Sequence, residues 1–260
     1  MEDYLEVGTH IRKNKTFYKS IKCFCETKHD SLCCACQIFT GSPKIWRRIK
    51  KNEKDILSTK QLIQEKNLNV YTHSIYLINL AKPKEEFREK AFDCLKWELE
   101  FGYEIGFKGV VVHCGKSLKM NVGDALANMY YNMCDMLPFI DEKCPLLLET
   151  SSGQGTELCW KYSDLLEFYQ LFTDSEKQKI KICIDTCHVF AAGHDPEIFI
   201  KNWMRDEPDS LVLVHFNDSK ECCGEKKDRH EMPGKGHIGE EKMQNIKQLC
   251  LQNEIPMVYE

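Results

Sequence analysis

The feature that most constrains this chain is an alternation. Eight short apolar or β-branched runs recur, separated by longer amphipathic stretches. The runs cover residues 5–10, 32–39, 68–73, 109–115, 145–150, 181–188, 211–218 and 256–260. Runs this short, bounded by Gly, Pro, Asp or Lys, predict buried strands. The stretches between them predict helices. Phe17, Ile21 and Phe24 keep a helical spacing, and Phe87, Ala91, Leu95 and Leu99 recur every four residues. Asp195-Pro196 has the form of an N-cap followed by proline at the first helical position. Eight strands alternating with helices predict an α/β fold, a (β/α)8 barrel, in preference to a doubly wound open sheet. No linker or low-complexity tract interrupts the pattern, so residues 1–260 are expected to form one domain. The chain stops at Glu260 on the last strand, so the barrel is expected to lack the helix after that strand, with truncation the preferred explanation.

Composition narrows the class. The chain is 42% apolar and 29% charged, enough for a sizeable core and unlike a disordered protein. No apolar run reaches the ~20 residues of a membrane span, and the N-terminus lacks a signal-peptide core. An intracellular, soluble protein with no membrane partner is expected, in cytoplasm or nucleus. The 15 cysteines are then read as reduced thiols, mostly small core residues. Cys23, Cys25, Cys33, Cys34 and Cys36 contain C-x-C and C-x-x-C spacings, but they fall on a helical stripe and in a strand, and core packing is the preferred reading over a zinc site.

In such barrels functional groups lie at the C-terminal strand ends. The ends of the eight runs carry His10, His73, His113, Glu149, Asp185 with His188, His215 with Asp218, and Glu260. One ligand-type residue at a strand end is unremarkable, but seven of eight is not. Buried His mixed with carboxylates needs cations as partners, and this nitrogen–oxygen set without a strand-end Cys suits zinc, manganese or iron, zinc first. Asp228-Arg229-His230 adds a D-x-H pair in the loop after strand seven. His10 and Asp218 are expected to support ligands rather than to be ligands. His29, His194 and His237 sit in polar or glycine-containing loops and read as solvated or structural. Neither SSGQG (151–155) nor GKG (234–236) has the ending of a phosphate-cradling loop. Segment 44–51 is basic with Trp46 interleaved, and reads equally as a phosphate contact or a solvated helix start.

The strings HSIYLINL (73–80), VVHCG (111–115), LLLETSSGQG (146–155), ICIDTCHVFAAGHD (182–195), HFNDSK (215–220) and DRHEMPGKGHIG (228–239) closely resemble the endonuclease IV family of apurinic/apyrimidinic endonucleases, in order and over nearly the whole chain. The resemblance implies a TIM barrel with three zinc ions. It implies hydrolysis of double-stranded DNA 5′ to abasic sites, leaving a 3′-hydroxyl and a 5′-deoxyribose phosphate, and trimming of blocked 3′ ends. Carried over, one zinc is held by His73, His113 and Glu149. A second is held by Glu149 as a bridge with Asp185, His215 and Glu260. The third is held by His188, Asp228 and His230. Glu149 and Glu260 are the implied catalytic residues, positioning hydroxide for in-line attack. Tyr76 matches the family's inserted tyrosine. Lys44 stands where the family often inserts an arginine, and Trp46, Arg47 and Arg229 complete the expected DNA contacts. A monomer is the family default.

The formal net charge of −4 argues against a general nucleic-acid binder. Three Zn²⁺ would bring it to about +2, so the metal-free sequence understates the attraction for phosphate. Two other readings compete. One is a sugar isomerase or epimerase on a similar metal-bearing barrel, which needs one or two metals. The other is a damaged-DNA binder without catalysis.

Overall fold

The computed structural model describes residues 6–27 and 35–260. Among them, strands β1 (Gly8–Ile11), β2 (Ala35–Phe39), β3 (Asn69–His73), β4 (Val110–His113), β5 (Leu146–Glu149), β6 (Ile180–Asp185), β7 (Leu211–His215) and β10 (Met257–Tyr259) close into a parallel barrel. The order runs in sequence, with β10 sealing the gap between β7 and β1. A two-stranded antiparallel ribbon, β8 (Asp218–Ser219) with β9 (His230–Glu231), stands on the rim after β7. Helices α1 (Phe17–Thr27), α2 (Glu53–Glu65), α3 (Lys84–Ile105), α4 (Val122–Met136), α5 (Tyr162–Tyr169), α6 (Asp174–Lys177), α7 (Thr186–Ala191), α8 (Pro196–Asp206) and α9 (Glu240–Gln252) fill the connections. The (β/α)8 expectation therefore holds, and β10 is the last element. No helix among the described residues is long and apolar enough to cross a membrane.

The strands read as nearly continuous apolar runs because both faces are covered. One face of each strand packs outward on the helices through residues such as Val70, Val112, Leu148, Ile184 and Val214. The alternate residues point into the barrel. Ala35, Tyr71, Val111, Leu147, Cys183, Leu213 and Val258 form a second buried cluster there, a plug rather than a pore. At Gly8 a Cβ would lie 1.6 Å from the Ala35 carbonyl oxygen, so β1 can close on β2 only with glycine there.

The expected helical stripes are buried: Phe17, Ile21 and Phe24 on α1, and Phe87, Ala91, Leu95 and Leu99 on α3. Asp195 caps α8 through the Glu197 and Ile198 amides. Three expectations are corrected. The sixth run leaves the strand at Asp185, because that carboxylate caps α7 by accepting from the His188 amide at 2.9 Å. The seventh leaves it at His215. Segment 44–51 is not a helix start: α2 begins at Glu53, capped by Asn52. Leu5, His29, Cys33 and Cys34 lie outside the described residues.

Glu98 is a buried carboxyl on α3, with Thr40 Oγ1 2.9 Å from both of its oxygens. Burial pushes its pKa up to about 8, against the lowering effect of the Thr40 hydroxyl. The fold thus holds a proton that the unfolded chain releases above about pH 4.5. Stability attributable to this group is highest below that pH and falls until pH passes about 8. Glu98→Gln should remove the fall. The stability difference between variant and parent, from urea unfolding, should grow in favour of Gln by roughly 3 kcal/mol between pH 5 and 8. A difference independent of pH would contradict a protonated Glu98.

Candidate metal centre

Strand periodicity builds the site. Two residues beyond each member of the inner plug, the next inward position carries a polar group: Gln37, His73, His113, Glu149, Asp185, His215 and Glu260. Strand register puts neighbours at one level, with His113 beside Glu149 and Asp185 beside His215. Glu149 divides between two groups. Its Oε2 lies 3.0 Å from both His73 Nε2 and His113 Nε2. Its Oε1 lies 2.9 Å from His215 Nδ1, which is also 3.1 Å from Glu260 Oε2 and 3.8 Å from Asp185 Oδ2. On the rim, Asp228 Oδ2 is 3.3 Å from His188 Nε2 and Oδ1 is 3.0 Å from His230 Nε2.

The donor atoms thus fall into sets whose members lie within 4.8 Å of one another. They are His73, His113 and Glu149; Glu149, Asp185, His215 and Glu260; and His188 and His230 with Asp185. The rings are oriented from behind. His73 Nδ1 lies 2.7 Å from the Ser74 carbonyl, and His188 Nδ1 lies 2.8 Å from the Thr150 carbonyl. His215 Nε2 lies 2.8 Å from Gln37 Oε1, whose amide Nε2 donates to Glu260 Oε1 at 2.6 Å. A carbonyl oxygen only accepts, so these ring nitrogens carry a proton, and in the neutral ring the opposite nitrogens present lone pairs to carboxylates. Lone pairs aimed at carboxylates 3 Å away need a positive charge between them. His230 Nε2 is buried with no hydrogen-bond partner, 3.0 Å from Asp228 Oδ1. These residues fit divalent metal ions held by nitrogen and oxygen.

The electrostatics say the same. Burial alone would raise the pKa of Glu149, yet His113 and His215 hold it well below the usual carboxylate range. Burial would also raise Asp228, and the imidazoles of His188 and His230 bring it down. Burial would lower His188 and His215, and the surrounding acidic groups push both well above the ordinary imidazole value. The pocket demands positive charge. It opens into a cavity of about 410 Å³ walled by His113, Glu149, His188, Asp228 and His230 with Tyr76, Asn79, Lys82 and Lys116.

Residues 33–246 match the family of xylose isomerase-like TIM barrels. A protein named "Probable endonuclease 4" from Streptomyces avermitilis is 33% identical over 238 residues, covering 87% of this chain and 76% of that relative. The chain belongs to the endonuclease IV family. The crystal structure of endonuclease IV from Thermus thermophilus superposes with a TM-score of 0.78 at 25% identity, over 97% of this chain and 90% of that one. A D-tagatose 3-epimerase-like protein, with a TM-score of 0.71 at 19% identity over 97% of this chain and 89% of its own, shares the fold alone.

As a member of the endonuclease IV family, the chain brings all nine expected ligand residues to one mouth. Cys187 lies within 4.8 Å of the Asp228 and His230 donors, although burial pushes its thiol up to about 12 and keeps it neutral. Of the expected DNA contacts, Tyr76 stands on the rim, about half exposed, its ring 5.5 Å from that of His73. Its amide donates to the Pro43 carbonyl at 3.0 Å, tethering the loop that carries exposed Lys44 and Arg47. Trp46 instead packs half-buried against the core. Arg229 is exposed, bonding the Asp228 carbonyl at 2.5 Å.

Two supporting residues escape a reading of strand ends. Gln37 lies mid-run in ACQIF, and only the two-residue stride from Ala35 marks it. Asn217, not Asp218, orients a ligand: its Nδ2 donates to Asp185 Oδ2 at 2.7 Å and its Oδ1 accepts from the Glu260 amide at 3.0 Å. His10 has the supporting place expected of it, with Nδ1 3.1 Å from Gln37 Nε2 and 3.5 Å from Glu260 Oε1.

Buried Asp218 holds the rim loop. It accepts from the amides of Ser219 at 2.7 Å, Gly236 at 3.0 Å and Ile238 at 2.9 Å. A Cβ at Gly236 would lie 2.5 Å from Asp218 Oδ1, so the GKG turn serves this approach. The returning strand is braced by Lys226, whose Nζ sits 3.8 Å above the Trp160 ring. Asp218→Ala should strand these buried amides and cost about 2–4 kcal/mol in urea unfolding. A loss below about 0.5 kcal/mol would mean the loop is held by other contacts.

Proposed function

We propose that this chain is a zinc-dependent DNA repair endonuclease that hydrolyses the phosphodiester 5′ to abasic sites in double-stranded DNA, with 3′-end trimming as a second activity. The observation that carries the reading is the sharing of Glu149 between two donor sets while His188 and His230, at 3.3 and 3.0 Å from the Asp228 carboxylate, line the same cavity with it. Membership of the endonuclease IV family supports it.

In this reading His73 and His113 hold one ion with Glu149. Asp185, His215 and Glu260 hold a second with Glu149 shared, and His188, Asp228 and His230 hold a third. Metal ions, when bound there, supply water activation near neutral pH and charge to receive the leaving oxygen. Glu149 and Glu260 both face His215 Nδ1 and orient the attacking water at the floor of the cavity. Gln37 and Asn217 keep Glu260 and Asp185 from swinging away. Tyr76, at the rim, is placed to fill the gap beside an extruded abasic sugar. Lys44, Arg47 and Arg229 neutralise backbone phosphates, which positions the duplex without reading its sequence. The three-set arrangement disfavours the epimerase reading, which needs one or two metals.

Incubation with a duplex containing one abasic analogue tests the proposal. Incision 5′ to the lesion is expected, abolished by prolonged chelation. An intact duplex at full metal occupancy would sink the reading and leave a binder of damaged DNA. Metal analysis gives a second test. Glu149→Ala should lower bound zinc by two ions per chain, because two donor sets lose a member. Loss of one ion would contradict the shared carboxylate.

A further inference from the structure

Away from the cavity floor, the loop joining β8 to β9 carries two neighbouring exposed thiols, Cys222 and Cys223. Across the loop, His237 Nδ1 lies 3.8 Å from Cys222 Sγ. The backbone imposes this meeting. Ser219 is fully buried and grips both sides. Its Oγ donates to the Glu221 carbonyl at 2.8 Å and accepts from the Glu221 amide at 3.2 Å, while its carbonyl accepts from the His237 amide at 2.7 Å. The far side of the turn is pinned by the Gly224 amide on the Phe190 carbonyl at 3.1 Å and the Lys226 amide on the Ala191 carbonyl at 2.9 Å.

We propose that Cys222, Cys223 and His237 form a binding site for a soft divalent cation, separate from the donor sets at the barrel mouth. A tetrahedral zinc ion with bonds of about 2.3 Å to sulfur and about 2.0 Å to nitrogen sets those two atoms about 3.6 Å apart. The observed 3.8 Å is within a few tenths of that. Cys223 is the adjacent exposed thiol, and the proposed site requires it to change between staggered χ1 wells to bring its sulfur to the same ion. Glu221 and Glu225, which share Lys227 at 3.7 and 3.3 Å, stand on the same loop, and water or one of these carboxylates completes the shell. Two thiolates select zinc or cadmium over magnesium or calcium. The ion ties together residues 15 positions apart and closes the segment that carries Asp228, Arg229 and His230. It therefore restricts the loop that forms one wall of the cavity.

The experiment uses the full chain, loaded with zinc at the barrel mouth, freed of loose metal and titrated with Cd²⁺. Thiolate-to-cadmium charge-transfer absorption reports only ions bound to sulfur. One such ion per chain is expected. Cys222→Ser and Cys223→Ser should each abolish or weaken it at least tenfold, and His237→Gln should weaken it about tenfold. Cys23→Ser, which alters an exposed thiol elsewhere, should leave the titration unchanged. Absence of the band in the parent protein overturns the proposal, as does a band that survives Cys222→Ser. Because the readout is independent of DNA cleavage, failure here leaves the proposed endonuclease activity untouched.

Discussion

The two oxygens of Glu149 face opposite halves of the barrel mouth, and the rest of the site is arranged around them. Oε2 meets His73 and His113, and Oε1 meets His215, all within 3.0 Å. The carboxylate is 1% exposed, so burial would neutralise it if nothing faced it. Two of the imidazoles that face it, His73 and His215, are fixed from behind by an acceptor, so they cannot turn to relieve the crowding. That combination leaves a fixed demand for positive charge. Protons can meet it only by occupying the nitrogens that would otherwise be ligands.

The barrel supplies this convergence by a stride of two. A residue of the apolar plug fixes which face of a strand is inward, and the next inward residue must then point into the mouth. Leu147 thereby fixes Glu149, Val111 fixes His113, and Leu213 fixes His215. The plug is more than filler, because a slip of one residue in any of these strands would turn a ligand out toward the helices. Loop residues lack this guarantee and need devices of their own. His188 is delivered by α7, whose first turn Asp185 caps. Asp228 and His230 ride on the rim ribbon, which Asp218, Gly236 and the Lys226–Trp160 contact hold in place.

This difference explains what could be read from the chain. Strand-borne ligands were legible because each breaks an apolar run at its end, where a charged or imidazole side chain has no packing reason to be. Gln37 was not, since Ile38 and Phe39 continue the run beyond it and hide it among apolar neighbours. The choice between Asn217 and Asp218 was illegible for another reason. Both follow β7, and only the three-dimensional path of the loop decides that the amide faces Asp185 while the carboxylate turns to backbone amides. The basic segment 44–51 had two readings with the same composition. The structure removes the helix start, because α2 begins later, and leaves Lys44 and Arg47 on an exposed loop tied to Tyr76.

Charge at the mouth bears on binding as well as chemistry. Four carboxylates, Glu149, Asp185, Asp228 and Glu260, gather where the proposed reading brings a phosphodiester. Unless metal ions or protonated imidazoles offset them, these carboxylates oppose a phosphodiester at the floor. Lys82 and Lys116 also line the cavity, but Lys116 is paired with Glu157 at 3.2 Å and Lys82 with Glu86 at 3.3 Å. The Lys82–Glu86 pair is well exposed and loosens readily in water and salt, so Lys82 is available to a phosphate that competes for it, whereas the partner of Lys116, Glu157, is largely buried and also held by Ser152. The rim can then attract and orient a duplex, whereas close approach to the floor depends on ions neutralising the carboxylates. Stripping the metals should therefore weaken the final seating of the scissile phosphate, a short-range effect, more than the first encounter, which the exposed lysines and arginines set over a Debye length of about 10 Å.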